Sequence, residues 1–197
     1  MKNSLKEKEI TKNPWKIVVH NTRGLITENS RDKVEYLKDN TKEDKILIMN
    51  ITETWLNKNI SNEEANITGY KIFRGDRNEK NRQGGTAIYL IETLEAEQIS
   101  NISHNKCEMV AIDIPNIQTI NIVVYRPPDT KYSDFEIILN NIKEIFKKLE
   151  TPEPTIILSG DFNFPFVKWK RMMNGGCTWE YRTNTNATSD EKKKLNN

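Results

Sequence analysis

Cysteine is scarce: Cys107 and Cys177 are the two in 197 residues. Two cysteines cannot build the disulfide framework of a small secreted scaffold, and a reducing compartment is the expectation. Histidine is equally sparse, and His20 and His104 share no zinc-binding spacing with the isolated cysteines. No apolar run approaches the ~18 residues that cross a bilayer. The leader MKNSLKEKEITKNP is charged and has no apolar centre, so it does not read as a secretory signal. The expected setting is intracellular, nuclear or cytoplasmic, without membrane contact or secretion. Eight glycines and seven prolines exclude a collagen-like chain. An excess of charge of one sign is also missing. Thirty Lys and Arg against 28 Asp and Glu leave a formal charge of +2, a weak lean toward polyanions.

What is present is enough chain for one ordinary domain, able to bury roughly 70% of its unfolded surface without staples. The apolar residues come in dense clusters, which argues against global disorder. Lys, Asn and Ile are enriched throughout, as in an A/T-rich coding sequence. Lys58, Lys80 and the triplet at 192–194 therefore read as solvated surface rather than as DNA contacts.

Residues 1–13 read as a disordered leader and 180–197 as a polar tail, with one domain between, over 14–179. Strands are expected at 15–19, 45–51, 70–73, 85–91, 108–114, 119–125 and 154–159, short runs rich in Ile and Val. A helix is expected over 30–40, opened by Ser30 with Val34 and Leu37 on one face. A second is expected over 133–149, where Ser133 and Glu136 have capping-box spacing. Its Phe135, Ile138, Leu139, Ile142, Ile145, Phe146 and Leu149 recur at the helical period and should face the core. The order predicts an α/β (α+β) architecture with helices packed on sheet, the last strand ending near 159.

Polar side chains follow the apolar runs at equivalent places. Asn21 follows IVV, Glu53 follows ILIMNI, Tyr125 follows INIVV, and Asp161 and Asn163 follow TIILSG. Strand ends and the loops after them are where α/β sheets place ligands. Two carboxylates with two amides would make an oxygen-rich site suited to Mg²⁺. Taken singly, each feature has a plainer reading. Glu53 could be a solvated loop residue, Gly160–Asn163 an Asx-type turn, and Arg126-Pro127-Pro128 a rigid turn. Gly84–Gly85 reads as a turn or bulge, His20 as structural, and the four tryptophans as packing residues.

The segments VVHNTRGL, ITETWL, GYKIFRGDR…GGTAIYL, INIVVYRPP and ILSGDFNFP occur in this order between residues 18 and 165. Together they resemble the endonuclease/exonuclease/phosphatase superfamily, most closely the apurinic-like endonuclease domain of LINE-type non-LTR retrotransposons. The resemblance implies a four-layered α/β sandwich of two packed β-sheets flanked by helices. It also implies a Mg²⁺-dependent phosphodiester hydrolase acting as a monomer on DNA, with Mn²⁺ as an alternative metal and RNA as an alternative substrate. Glu53 would then be the main metal ligand with Asn21 beside it, and Tyr125 would contact the scissile phosphate. Asp161 would orient or deprotonate the attacking water, Asn163 would hold the phosphate or transition state, and Arg23 and Arg126 would bind phosphate.

Members of this superfamily continue beyond GDFN to a terminal Asp-His motif, which these residues do not include. The expected sandwich is therefore incomplete at its C-terminal side. Two alternatives follow. One is a catalytically inactive, retrotransposon-derived remnant that binds nucleic acid weakly through Arg23, Arg74, Arg77, Arg82 and Arg126. The other is a phosphatase on the same fold.

Overall fold

In the computed structural model, the described residues are 16–26, 32–43, 46–77, 83–149, 152–164, 167–171 and 177–181. The expected leader, Ser30, Arg82 and nearly all of the expected tail lie outside them. The chain divides into two compact units, Met1–Asp161 and Phe162–Asn197.

The first unit contains two four-stranded sheets. One is built from β1 (Lys16–Asn21), β2 (Ile46–Thr52), β3 (Tyr70–Gly75) and β4 (Thr86–Ile91), in the order β1-β2-β4-β3. The other is built from β5 (Glu97–His104), β6 (Cys107–Ile114), β7 (Thr119–Tyr125) and β8 (Thr155–Asp161), in the order β5-β6-β7-β8. Both sheets are mixed. β1 pairs with β2 in parallel and β7 with β8 in parallel, while the remaining neighbours run antiparallel. A parallel pair needs a crossover, and here each has a helix between its strands. The first is α1 (Asp32–Glu43) and the second is α2 (Tyr132–Lys147).

The sheets lie face to face, β1 and β2 against β8 and β7, and β4 and β3 against β6 and β5. Ile48, Ile88, Leu90, Val110, Ile112 and Val123 fill the layer between them. The other face of the first sheet buries Met49, Ile51, Ala87 and Tyr89 with Val34 and Leu37 of α1. Alternate residues of one strand thus enter two different cores, which is why the central strands read as unbroken apolar runs. On the outer side of the second sheet α2 packs on β5 and β6, burying Phe135, Ile138, Ile142 and Ile145. The result is the expected four-layered sandwich. In the second unit, β9 (Val167–Arg171) and β10 (Cys177–Tyr181) form an antiparallel hairpin with Trp169 opposite Trp179. Among the described residues no helix is long and apolar enough to cross a membrane.

Several details depart from the sequence reading. β5 was not expected, because EQISNISH is polar; it is an edge strand with much of its length exposed. The last strand does not end near 159, since β9 and β10 follow. The Ser133 cap does not form: Lys131 is the N-cap residue of α2, it makes no side-chain cap, and Ser133 lies inside the first turn. Phe146 is 42% exposed rather than core-facing.

One polar pair interrupts the apolar layer. Asn50 Nδ2 donates to Asn121 Oδ1 at 3.0 Å, and Asn121 Nδ2 returns a bond to Asn50 Oδ1 at 2.8 Å. Asn50 Nδ2 also reaches Ser159 Oγ at 2.7 Å, so the cluster ties β2 to β7 and β8 across the interior. Removing one partner leaves a buried amide short of a bond, whereas removing both leaves no orphaned amide. Asn50→Ala and Asn121→Ala should each lose about 1–3 kcal/mol of stability, and the double variant less than their sum. Urea denaturation of the cycle checks this, and strict additivity would contradict it.

Cys107 opens β6 fully buried, and burial pushes its thiol up to about 11. With Cys177 replaced by Ser, Cys107 should resist thiol reagents at pH 8 until the protein unfolds. A thiol held protonated by the fold stabilises it below the unfolded thiol's pKa of ~8.5, and that contribution is lost as pH rises toward 11. Rapid labelling of the native protein at pH 8 would contradict the burial.

Candidate active site

Because β1 runs parallel to β2 and β7 parallel to β8, the carboxyl ends of these strands deliver Asn21, Glu53, Tyr125 and Asp161 to one end of the first unit. Asn21 closes β1 and Glu53 follows β2 directly. Tyr125 closes β7, opposite Asp161, which closes β8. Asn21 Nδ2 donates to Glu53 Oε1 at 2.7 Å and to Asp161 Oδ2 at 2.8 Å. One amide therefore spans two carboxylates that arrive on different sheets, 140 positions apart in sequence for Asn21 and Asp161. Tyr125 is buried and its phenol is hydrogen-bonded to Glu53. Burial first, and then the charge and hydrogen bond of Glu53, push the Tyr125 pKa up; Arg77 opposes and Asp161 adds to the rise. The phenol is thus held as a donor. Asn163, also an expected site residue, stands at φ +47° in the second unit.

The backbone beneath Glu53 is unusual. Glu53 has φ +53° and Trp55 φ +56°, left-handed values that cost bulky residues on the order of 1–3 kcal/mol each. Flanking segments hold this loop on both sides. Gly24 N donates to Glu53 O at 2.7 Å and Leu25 N to Thr54 O at 2.8 Å. On the opposite side Trp55 N donates to Gly84 O at 2.8 Å and Thr54 N to Gly85 O at 3.3 Å. The glycines permit the approach: a Cβ on Gly24 would stand 2.6 Å from the Trp55 ring, and one on Gly85 2.5 Å from Thr54 Oγ1. Gly84–Gly85, expected to be a turn or bulge, is a strap for the Glu53 loop. Lys33 of α1 further anchors the start of this region by donating to the carbonyls of Thr22 and Arg23.

The arginines divide. Arg126 is 5% exposed, donates from Nη2 to Thr130 O at 2.8 Å and lies over the Phe135 ring. Its guanidinium braces the turn before α2, a departure from the expected phosphate contact. Arg74 binds Asp76 and the carbonyls of Asn57 and Ile60. Arg77 pairs with the fully buried Glu108, through Nε at 2.6 Å and Nη2 at 3.2 Å. Arg23 is exposed and follows Asn21 by two residues, with its backbone N–H donating to Asn21 Oδ1 at 3.1 Å. The Arg77–Glu108 pair escaped sequence reasoning, since residues 31 apart with opposite charge are ubiquitous in so polar a chain. A glutamate inside the apolar run CEMVAI was the signal that could have found it.

The donor set fits a hard divalent cation. Glu53 and Asp161 both turn oxygens toward one electropositive point, the Asn21 amide, and with Tyr125 these side chains offer oxygen and amide chemistry. Among the described residues no three His, Cys, Asp or Glu side chains gather. A cation held by Glu53, with Asn21 and Asp161 beside it, would complete its shell with water and phosphate oxygens, the habit of Mg²⁺.

No family model and no curated protein matches the chain. Solved structures do. A truncated TDP2 from Caenorhabditis elegans matches with TM-score 0.55 at 14% identity, over 78% of this chain and 67% of that one. The endonuclease domain of TRAS1, a telomere-specific non-LTR retrotransposon, gives 0.50 at 18% identity, over 77% and 61%. An endonuclease/exonuclease/phosphatase family protein from Bacteroides thetaiotaomicron gives 0.52 at 14% identity, over 75% and 61%. The fold is that of the endonuclease/exonuclease/phosphatase proteins. This chain spans about two thirds or less of the length of these three structures. At such identities the likeness is one of fold, and the chemistry of this endonuclease/exonuclease/phosphatase fold must be argued from its own residues.

The strap gives a direct test. Gly85 has φ +85° and no room for a methyl group, so Gly85→Ala should cost on the order of 1–3 kcal/mol in urea denaturation. A variant as stable as the wild type would show that the Glu53 loop does not need this close approach.

Proposed function

We propose that the chain is a divalent-metal-dependent phosphodiester hydrolase of the DNA endonuclease type, derived from a non-LTR retrotransposon. The observation that carries this reading is the single Asn21 amide hydrogen-bonded to both Glu53 and Asp161, with Tyr125 bonded to the same glutamate. Two carboxylates, an amide and a protonated phenol at strand ends are groups that phosphodiester hydrolysis uses. The likeness in fold to the TRAS1 endonuclease domain supports both the nuclease and the retrotransposon parts of the reading. The setting that goes with this reading is intracellular, in nucleus or cytoplasm, where a retrotransposon-type endonuclease meets its target DNA.

Mg²⁺, held by Glu53 with Asp161 and Asn21 beside it, would supply positive charge against the negative charge that builds on the phosphate during displacement. The protein's own residues do the rest. Asp161, next to the Asn21 amide, accepts the proton of the attacking water. The Asn21 N–H groups fix the direction of both carboxylates. Tyr125, held protonated, offers its O–H to a phosphate oxygen once the phosphate enters. Arg23, exposed beside Asn21, attracts the polyanionic backbone.

Nicking of supercoiled plasmid in Mg²⁺ tests this. Glu53→Gln and Asp161→Asn, which keep shape and remove charge, should each lower the rate by about 10²–10³. Chelation should abolish nicking, and Mn²⁺ should restore it. Equal nicking by wild type and both variants would locate the activity elsewhere. Release of inorganic phosphate from phosphomonoesters without plasmid nicking would move the assignment to a phosphatase.

A further inference from the structure

We propose that Arg77 and Glu108 form a positioning bracket that sets the spacing between Glu53 and Tyr125 across the two sheets; this rests on the hydrolase reading above. Glu108 lies directly opposite Tyr125 in the β6–β7 register, and its side chain is fully buried. Arg77 holds it with Nε and Nη2, one edge of the guanidinium, and its Oε2 accepts a hydrogen bond from Gly85 N at 3.2 Å. Arg77 Nη2 also donates to Lys106 O at 2.6 Å, and the guanidinium carbon stands 5.8 Å from the centre of the Tyr125 ring. The arginine side chain is 7% exposed, so this cation is committed to protein rather than presented to a ligand.

The connections run without a gap from one site residue to the other. The Tyr125 ring meets the Arg77 guanidinium; Arg77 holds Glu108; Glu108 holds the Gly85 amide. The carbonyls of Gly85 and Gly84 then hold Thr54 N and Trp55 N, immediately after Glu53. Glu53 is fixed to the first sheet and Tyr125 to the second, and the bracket crosses between them beside the reacting groups. Its geometry needs a fork: Nε and Nη2 engage two carboxylate oxygens in one plane, which an ammonium group cannot do. Gly84 leaves the space for it, since a Cβ there would stand 2.2 Å from the guanidinium carbon. An ion pair this deeply buried is an inefficient source of stability, because desolvation offsets most of the attraction, so its value lies in fixing geometry.

The test uses the full chain as wild type, Arg77→Lys, Glu108→Gln and the double variant Arg77→Met/Glu108→Leu. The double variant leaves no unpaired buried charge and keeps a foldable protein if either single variant unfolds. Two readouts are taken. Amide hydrogen exchange is followed at Thr54 and Trp55, with Ile48 and Ile120 of the central strands as references. Plasmid nicking in Mg²⁺ is resolved into kcat and KM. The bracket predicts at least tenfold faster exchange at Thr54 and Trp55 in Arg77→Lys and the double variant, with the reference amides unchanged. It predicts a fall in kcat of about 10–100-fold with KM for DNA constant within about twofold, as displacement of aligned groups gives. Unchanged exchange at Thr54 and Trp55 in the double variant would overturn the proposal. A raised KM with kcat preserved would also overturn it, and would make Arg77 a direct phosphate contact. A wild type that does not nick removes the hydrolase reading alone, and the exchange measurement still decides whether the bracket exists.

Discussion

Two carboxylates facing one another repel, and at about 4 Å in the partly wet end of a protein the repulsion is worth up to about 4 kcal/mol. The candidate site exists because something electropositive stands between Glu53 and Asp161. In this structure that is the Asn21 amide, donating one hydrogen bond to each. The topology follows from this constraint. Asn21 can reach both carboxylates only if β1 and β8, edge strands of two different sheets, lie against each other with their carboxyl ends together. Parallel pairing of β1 with β2 and of β7 with β8 then brings Glu53 and Tyr125 to the same end. The apolar layer of Ile48, Ile88, Val110 and Ile112 supplies cohesion, and the polar links between sheets supply alignment.

Those polar links form two tiers. Farther inside, the Asn50–Asn121 amide pair and Ser159 lock β2, β7 and β8 in register. At the mouth, the glycine strap and the Arg77–Glu108 pair hold the loop that carries Glu53 at positive φ. A strained loop persists where its surroundings over-determine it, and here four backbone hydrogen bonds from two flanking segments do so. The polarity that looked like loose composition in the sequence is, at this end of the sandwich, a connected framework.

Much of this was legible in the residues. Seven Ile- and Val-rich runs appear as β1 to β4 and β6 to β8, and Val34 and Leu37 face the core from α1 as their spacing implied. The convergence of Asn21, Glu53, Tyr125 and Asp161 followed from their common place after strands. Local pattern was silent elsewhere. β5 carries a polar sequence because an edge strand buries little, and β9 and β10 fall in a stretch too polar to register as strand. The capping box at Ser133 failed because the chain leaves the Pro127-Pro128 turn and enters α2 two residues earlier, at Lys131. Arg126 looked like a phosphate ligand because cations beside a site invite that reading. Its burial against Thr130 and Phe135 is a tertiary fact that no local pattern carries.

The most direct test of a shared cation site is anomalous diffraction from crystals of the chain soaked in Mn²⁺. A shared site predicts one strong anomalous peak within bonding distance of the Glu53 carboxylate and beside Asp161, lost in Glu53→Gln crystals. A structure at saturating Mn²⁺ with no peak between these carboxylates, or with Glu53 and Asp161 turned away from each other, would contradict it.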